Sequence, residues 1–215
     1  VIRGTLRLNS TEGIRLVRGS HIVVPKLYDH DKCYFFQGAD GRIIFAIPYE
    51  TDFTLIGTTD QEHEGLDTPP VATDAEQDYL CNFASQYFRQ PVTRAQIVWT
   101  YSGVRPLYDD GAKSATAATR DYVLSLDQTG APLLNVFGGK ITTFRKLAEH
   151  GVQRLRATFP AMGADWTARG HLPGGDIANA DIALFINGLL SDYPWLPRPL
   201  AQHYARLYGT RTRSL

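Results

Sequence analysis

Neither sign of charge is in excess, since 22 Lys and Arg face 22 Asp and Glu. The basic stripe that marks a dedicated nucleic-acid binder is therefore missing, and no nucleic-acid partner is expected. No apolar run approaches the ~20 residues that a bilayer-spanning helix needs. Cysteine is scarce: Cys33 and Cys81 lie far apart and outside any C-x-x-C spacing, which offers neither a zinc site nor a redox pair and fits a reducing, cytoplasmic compartment. The nucleophile elbow G-x-S-x-G, the H-E-x-x-H helix, the Walker loop and the G-x-G-x-x-G turn are all absent. Hydrolase, zinc-protease, nucleoside-triphosphatase and self-contained Rossmann readings thus lack support, and no metal site is expected. Methionine is also scarce. The chain opens on Val1 and holds one Met, Met162, so it is read as a stretch of something longer, whose targeting signals lie elsewhere.

What is present is ordinary globular material, 43% hydrophobic and 20% charged over 215 residues, enough for one large domain or two small ones. Strand patterns run over Ile14–Pro25, Cys33–Gln37, Arg42–Pro48 and Phe53–Ile56, with Asp40-Gly41 as a hairpin turn that implies antiparallel pairing. Thr73-Asp74-Ala75-Glu76 has capping-box spacing and opens an amphipathic helix that ends before Pro91. Strands return at Gln96–Val104, Asp121–Leu126 and Leu133–Phe137; the last is nearly all apolar and is expected to be buried. It passes through Gly138-Gly139 into a helix whose apolar face is assigned to Ile141, Phe144, Ala148 and Leu155. Residues 161–179, rich in Gly, Pro and small side chains, read as a linker. Asp181–Leu190 and Pro199–Tyr208 read as helices, the second with Pro at its start and Gly209 at its end.

Three places carry chemistry. In Phe137-Gly138-Gly139-Lys140-Ile141-Thr142-Thr143 the glycines let backbone approach a ligand, and the unpaired amides of the following helical turn attract anions. Lys140 sits where the helix dipole opposes a cation, which an anion nearby would explain; a solvated lysine on a plain turn is the competing reading. In Trp99-Thr100-Tyr101-Ser102-Gly103-Val104-Arg105-Pro106, Arg105 follows a strand and can fork onto a phosphate or carboxylate, or else serve a structural ion pair. Arg120 supplies a second fork, although alone it reads as a local pair with Asp121. In Gly19-Ser20-His21 the glycine marks close approach within a strand, and His21 titrates near neutrality and can act as a base or polariser, or sit hydrogen-bonded in the core. Thr58, Thr59 and Asp60, just past a strand end, can touch substrate but read more simply as a turn.

Five segments taken together go further. Gly19-Ser20-His21-Ile22-Val23-Val24-Pro25, Ile56-Gly57-Thr58-Thr59-Asp60, Tyr101-Ser102-Gly103-Val104-Arg105-Pro106-Leu107, Thr119-Arg120-Asp121-Tyr122 and Phe137-Gly138-Gly139-Lys140-Ile141-Thr142-Thr143-Phe144-Arg145-Lys146-Leu147-Ala148 stand in this order. With them the chain resembles the FAD-dependent, aerobic glycerol-3-phosphate dehydrogenases, and the likeness extends to Leu172-Pro173-Gly174-Gly175. The resemblance implies an α+β fold: a large mixed or antiparallel sheet of the D-amino-acid-oxidase-like flavoprotein type with flanking helices, followed by a small helical segment. It implies a substrate-binding domain over 1–160 that includes the returning strand-turn-helix of the FAD domain (131–156). The linker 161–179 and the start of a truncated helical domain (180–215) follow, with the principal ADP-binding part elsewhere.

The same resemblance implies oxidation of sn-glycerol 3-phosphate to dihydroxyacetone phosphate by hydride transfer to N5 of FAD, with electrons passed to a quinone. It places Gly138, Gly139, Lys140, Ile141 and Thr142 at the flavin. Lys140 also stands near the substrate, Arg105 and Arg120 hold phosphate or alkoxide, Thr58 lies in the substrate pocket, and His21 handles the proton. A peripheral membrane contact and a homodimer are implied for the full-length protein, while the isolated stretch is expected to be inactive. Two rivals remain: a glycerol-3-phosphate oxidase that uses oxygen, and a non-catalytic module that binds a phosphate ligand.

Overall fold

Alternation of small, branched and polar residues over Ile14–Pro25 produces one long strand, β1, and the rest of the first sheet is built on it. The computed structural model describes residues 12–65 and 67–215. One edge of β1 pairs along most of its length with β6 (Trp99–Tyr108), from Ile14 opposite Tyr108 to Val23 opposite Trp99. The other edge is shared. β4 (Phe53–Gly57) pairs with it from His21 opposite Gly57 to Pro25 opposite Phe53, and the two-residue β5 (Gln61–Glu62) takes Val17 and Arg18. Outward from β4 come β3 (Ile43–Tyr49) and β2 (Tyr34–Gln37). Every pairing is antiparallel. The Asp40-Gly41 turn joins β2 to β3 as its chemistry predicts, with Gly41 at φ +77° and its N–H on the Gly38 carbonyl.

β6 runs four residues past the boundary that the sequence predicts. Pro106 cannot donate to a ladder, but β6 is an edge strand bonded only to β1, where a missing N–H costs nothing. Arg105 therefore lies inside the strand, opposite Val17, and not after it.

Because side chains alternate between faces, the sheet has two distinct surfaces. The back face buries Ile22, Val24, Ile44, Ala46 and Ile56 against Leu80, Cys81, Phe83 and Ala84 of helix α1 (Asp74–Ser85). The capping box at Thr73 and Glu76 starts that helix with both reciprocal hydrogen bonds formed. The front face carries Gly19, His21, Gly57, Tyr101, Gly103 and Arg105 and leaves Trp99, Tyr101, Phe35 and Phe45 exposed. At one end of the front face the loop bearing Ala112, Ala115 and Ala118 packs on Val17 and Leu107.

A second sheet is the hairpin of β7 (Tyr122–Asp127) and β8 (Leu133–Gly138), followed by helix α2 (Phe144–Leu155). Two expectations fail here. β8 is not buried: Val136 is 49% exposed, because a two-stranded hairpin cannot cover both its faces. Nor do Ile141, Phe144 and Ala148 form the inward face of the helix. Those positions are exposed, while Leu147 packs on the Gly139 position and Gly151 lies against Leu134.

The first compact unit ends at Leu155, and Arg156–Leu215 forms the second. Within the second unit, helices α3 (Ile182–Asp192) and α4 (Arg198–Tyr208) enclose Ile186, Leu189, Leu196, Ala201 and Ala205. Gly174 and Gly209 approach so closely that neither position admits a Cβ, and the Thr210 N–H reaches the Gly174 carbonyl at 3.0 Å.

Leu80 has no exposed surface and sits at the centre of the contact between α1 and the sheet. Replacing Leu80 with Ala should lower unfolding free energy by about 2–5 kcal/mol, measured by denaturant titration of the first unit's transition.

Candidate functional site

The front face acquires its polar equipment from three strands and one loop. Arg105 projects from β6 across Gly19 of β1; a Cβ at Gly19 would stand 2.2 Å from Arg105 Nη2 and 2.6 Å from Thr58 Oγ1. The close approach that the sequence assigns to Gly19 is thus made by a guanidinium lying on the strand. His21 repeats the device one position along, its ring lying over Gly57, where a Cβ would come within 2.2 Å of Cδ2. Its other neighbour is Tyr101, stacked at 4.6 Å with the ring planes 6° apart. Gly103, across from Gly19, has nothing within 4 Å of a Cβ and leaves bare floor between Arg105 and the His21–Tyr101 stack.

The loop between β4 and β5 clamps the arginine. Nη2 of Arg105 donates to Thr58 Oγ1 at 2.8 Å, and Nη1 donates to Asp60 Oδ1 at 3.0 Å. Asp60 Oδ2 receives Nη2 of Arg120 at 3.0 Å. Arg120 also donates through Nη1 to the carbonyls of Ala118 at 2.7 Å and Thr116 at 2.9 Å, which ties its own loop to the site. Two readings from the sequence change. Thr58 and Asp60 are not a simple turn, and the partner of Arg120 is Asp60, not Asp121; the required neighbour comes from another strand connection and is invisible to local spacing. Two guanidiniums less one carboxylate leave a net charge of +1 held in fixed geometry, which suits an anionic group.

His21 does not titrate near neutrality. Burial disfavours its charged form and the nearby Arg105 charge adds to this, so its pKa falls from 6.5 to about 4. Its Nδ1 is buried and has no hydrogen-bond partner among the described residues. At neutral pH the ring is an uncharged imidazole whose Nδ1 is closed off from solvent.

The Gly138-Gly139 turn has the form that the sequence suggests, with φ of +65° and +90°. A Cβ at Gly138 would meet Tyr108 N at 3.0 Å and Asp121 O at 3.2 Å; one at Gly139 would meet Tyr122 Cβ at 3.1 Å. The turn is thereby wedged between the end of the Arg105 strand and the segment that follows Arg120. Beyond it, Thr143 closes a single tight turn on the Lys140 carbonyl through its N–H (2.9 Å) and its hydroxyl (2.8 Å). Lys140, Ile141 and Thr142 are exposed, Ile141 to 87%. The structure therefore brings Arg105, Arg120, Thr58 and His21 together. Lys140 lies after a turn packed against the same strands and, among the described residues, takes no part in the Asp60 clamp.

Behind the sheet lies a carboxylate that sequence reading registers only as a helix cap. Glu76 Oε1 accepts from Thr59 Oγ1 at 2.7 Å and from Ser20 Oγ at 2.8 Å, while Oε2 accepts from Arg18 at 2.9 Å and from Thr73. Burial opposes its charge, yet the bonds from Thr59, the Thr73 amide and Ser20 prevail and bring its pKa down to about 2. Cavities of about 380 and 400 Å³ occur beside Tyr122 and His150 and, in the second unit, beside Tyr193 and Tyr204. Neither is lined by Arg105 or Arg120. Among the described residues no cluster of His, Cys, Asp or Glu is arranged to hold a metal, and no helix is long and apolar enough to cross a membrane.

Comparison with known proteins gives four findings. The sequence profile of the FAD dependent oxidoreductase family matches residues 3–145. D-erythritol 1-phosphate dehydrogenase of Brucella abortus (strain 2308) is 52% identical over 216 residues, covering 100% of this chain and 43% of its own length. Aerobic glycerol-3-phosphate dehydrogenase of Escherichia coli (strain K12) is 46% identical over 212 residues, covering 98% of this chain and 42% of its own length. Among solved structures, the glycerol-3-phosphate dehydrogenase from Bacillus halodurans complexed with FAD superimposes with a TM-score of 0.80 at 25% identity, over 99% of this chain and 41% of its own. The chain spans less than half the length of these relatives.

Two measurements follow from the geometry. The His21 ring should remain neutral above pH ~5, seen as a flat NMR titration of its ring signals across the range where an ordinary histidine protonates. The unfolded chain takes up that proton near pH 6.5 while the folded one resists it until about 4. This group therefore costs no stability above that window and lowers stability as the pH falls through it. Gly19→Ala should displace the Arg105 guanidinium from Thr58 and Asp60 and lower the stability of the first unit by about 1–3 kcal/mol, measured by denaturant titration.

Proposed function

Since the chain belongs to the FAD-dependent oxidoreductases, we propose that it forms the substrate-facing part of a dehydrogenase that oxidises sn-glycerol 3-phosphate to dihydroxyacetone phosphate. The observation that carries this reading is the shared Asp60 clamp: two arginines immobilised beside Thr58, next to a neutral histidine with an unused nitrogen. The resemblance in sequence to the E. coli and B. halodurans enzymes supports it.

In this reading Arg105 and Arg120 hold the phosphate and the oxygen on which charge develops, with no reorganisation when the reaction occurs because the Asp60 loop has already fixed their directions. His21 accepts the proton of the C2 hydroxyl, which a neutral imidazole can do and a charged one cannot. The exposed Lys140 and the amides opening the turn at Ile141 and Thr142 fit the pyrimidine edge of a flavin, with the two glycines letting the backbone come close. A flavin bound there supplies the two-electron acceptor for the hydride leaving C2. Transfer of those electrons to a quinone and a peripheral membrane contact in the full-length protein, both implied by the resemblance, and a cytoplasmic location, which the cysteine usage fits, complete the reading.

A second reading is favoured by one finding, the 52% identity to D-erythritol 1-phosphate dehydrogenase against 46% to the E. coli enzyme. A four-carbon polyol phosphate would use the same clamp and the same proton acceptor, with its extra hydroxymethyl group over the bare floor at Gly103.

The test is turnover by the full-length protein on glycerol 3-phosphate and on D-erythritol 1-phosphate, with a soluble quinone and then with oxygen as acceptor. The larger kcat/KM identifies the substrate, peroxide release identifies an oxidase, and phosphate binding without turnover would leave only a binding module. Arg105→Lys keeps the charge and loses the fork, so it should reduce kcat/KM about 10- to 100-fold in steady-state assays.

A further inference from the structure

Three consecutive residues of the β4–β5 loop point in alternate directions. Thr58 and Asp60 face forward and hold Arg105, and Asp60 also holds Arg120. Thr59 faces back: its side chain has only 1% of its surface exposed, its hydroxyl receives the Ser20 N–H at 2.9 Å, and that hydroxyl donates to Glu76 at 2.7 Å. Its carbonyl faces forward again and takes Nη1 of Arg105 at 3.4 Å and the Thr58 hydroxyl at 3.2 Å. The same carboxylate reaches the strand that bears Arg105 by a second route, through the Ser20 hydroxyl, which lies 2.8 Å from the Ser102 hydroxyl. Glu76 is 4% exposed, touches no front-face group and is the node at which both routes end.

We infer that Glu76 is a positioning residue for the arginine pair, acting through Thr59 and Ser20 from the opposite side of the sheet. A cap residue needed only to start α1 would have been satisfied by the two bonds to Thr73. The bonds to Thr59, Ser20 and Arg18 go beyond that need, and two of them lead to the clamp. This inference rests on the reading that the clamp holds the substrate phosphate, and it adds that the helix start sets the clamp's geometry.

The experiment compares wild type, Thr59→Val, Glu76→Gln and the double variant in the full-length, flavin-loaded enzyme. Thr59→Val removes one hydroxyl and leaves Glu76 with its other partners, so it tests the link even where Glu76→Gln fails to fold. The expected result is a rise in KM for the polyol phosphate of about tenfold, with kcat within about threefold, flavin content unchanged, and a double variant no worse than the poorer single one. A Thr59→Val enzyme with wild-type KM would overturn the inference, as would a loss of kcat that merely tracks a lower melting temperature. If wild type turns over neither phosphate, the functional reading fails. Amide exchange then decides the Glu76 link alone: faster exchange confined to residues 58–60 in Thr59→Val supports it, and unchanged exchange there overturns it.

Discussion

The Asp60 carboxylate lies between two guanidiniums, and most of what is distinctive about the front face depends on it. Without it, Arg105 and Arg120 would repel one another at close range, with only neutral oxygens of Thr58, Thr59 and the Arg120 loop to hold them. With it, both are oriented, and the excess of one positive charge is left for a ligand to complete. The arrangement explains why Arg105 can lie over Gly19 and why the loop carrying Ala115 and Ala118 is drawn onto Val17 and Leu107. Each of these would be costly alone; together they stabilise one another.

The sheet separates two environments by a single layer of backbone. Behind it, apolar side chains close on α1, and of the polar groups there Ser20, Thr59 and Glu76 satisfy one another. In front, aromatic rings, glycines and charges remain open. A functional surface of this kind can be kept open because most of the hydrophobic free energy that holds the sheet together is gained on the other face, with one apolar cluster at an end of the front. The capping box contributes at both levels, since the residue that starts the helix also anchors the loop that carries the clamp.

Much of the scaffold was legible from the chain. β1 has the bounds that its alternation predicts, Asp40-Gly41 turns where its backbone preference says it should, and Thr73 opens α1. The α+β architecture with antiparallel sheets and flanking helices is the one expected. What escaped was information held between distant segments. Asp60 is a turn residue until the partner 45 positions away is known, and Pro106 looks like a strand end until β6 proves to be an edge. The inward face of α2 was misassigned because Ile141, Phe144 and Ala148 have helical spacing and apolar character, yet Leu147 and Gly151 are the positions that meet the protein. Spacing reveals that a stripe exists; it does not say which neighbour, if any, covers it. His21 was placed correctly in a strand and wrongly in its titration, because its burial in the folded sheet and the Arg105 charge from an adjacent strand are both products of tertiary packing.

The glycines under Arg105 and His21 have an implication for how such a surface can diversify. Positions 19 and 57 have no room for a single methyl group, whereas position 103, on the same floor, is open. Adaptation to new molecules is thereby channelled: the two bearings on which the working side chains lie are frozen, and novelty must enter through the vacant square beside them.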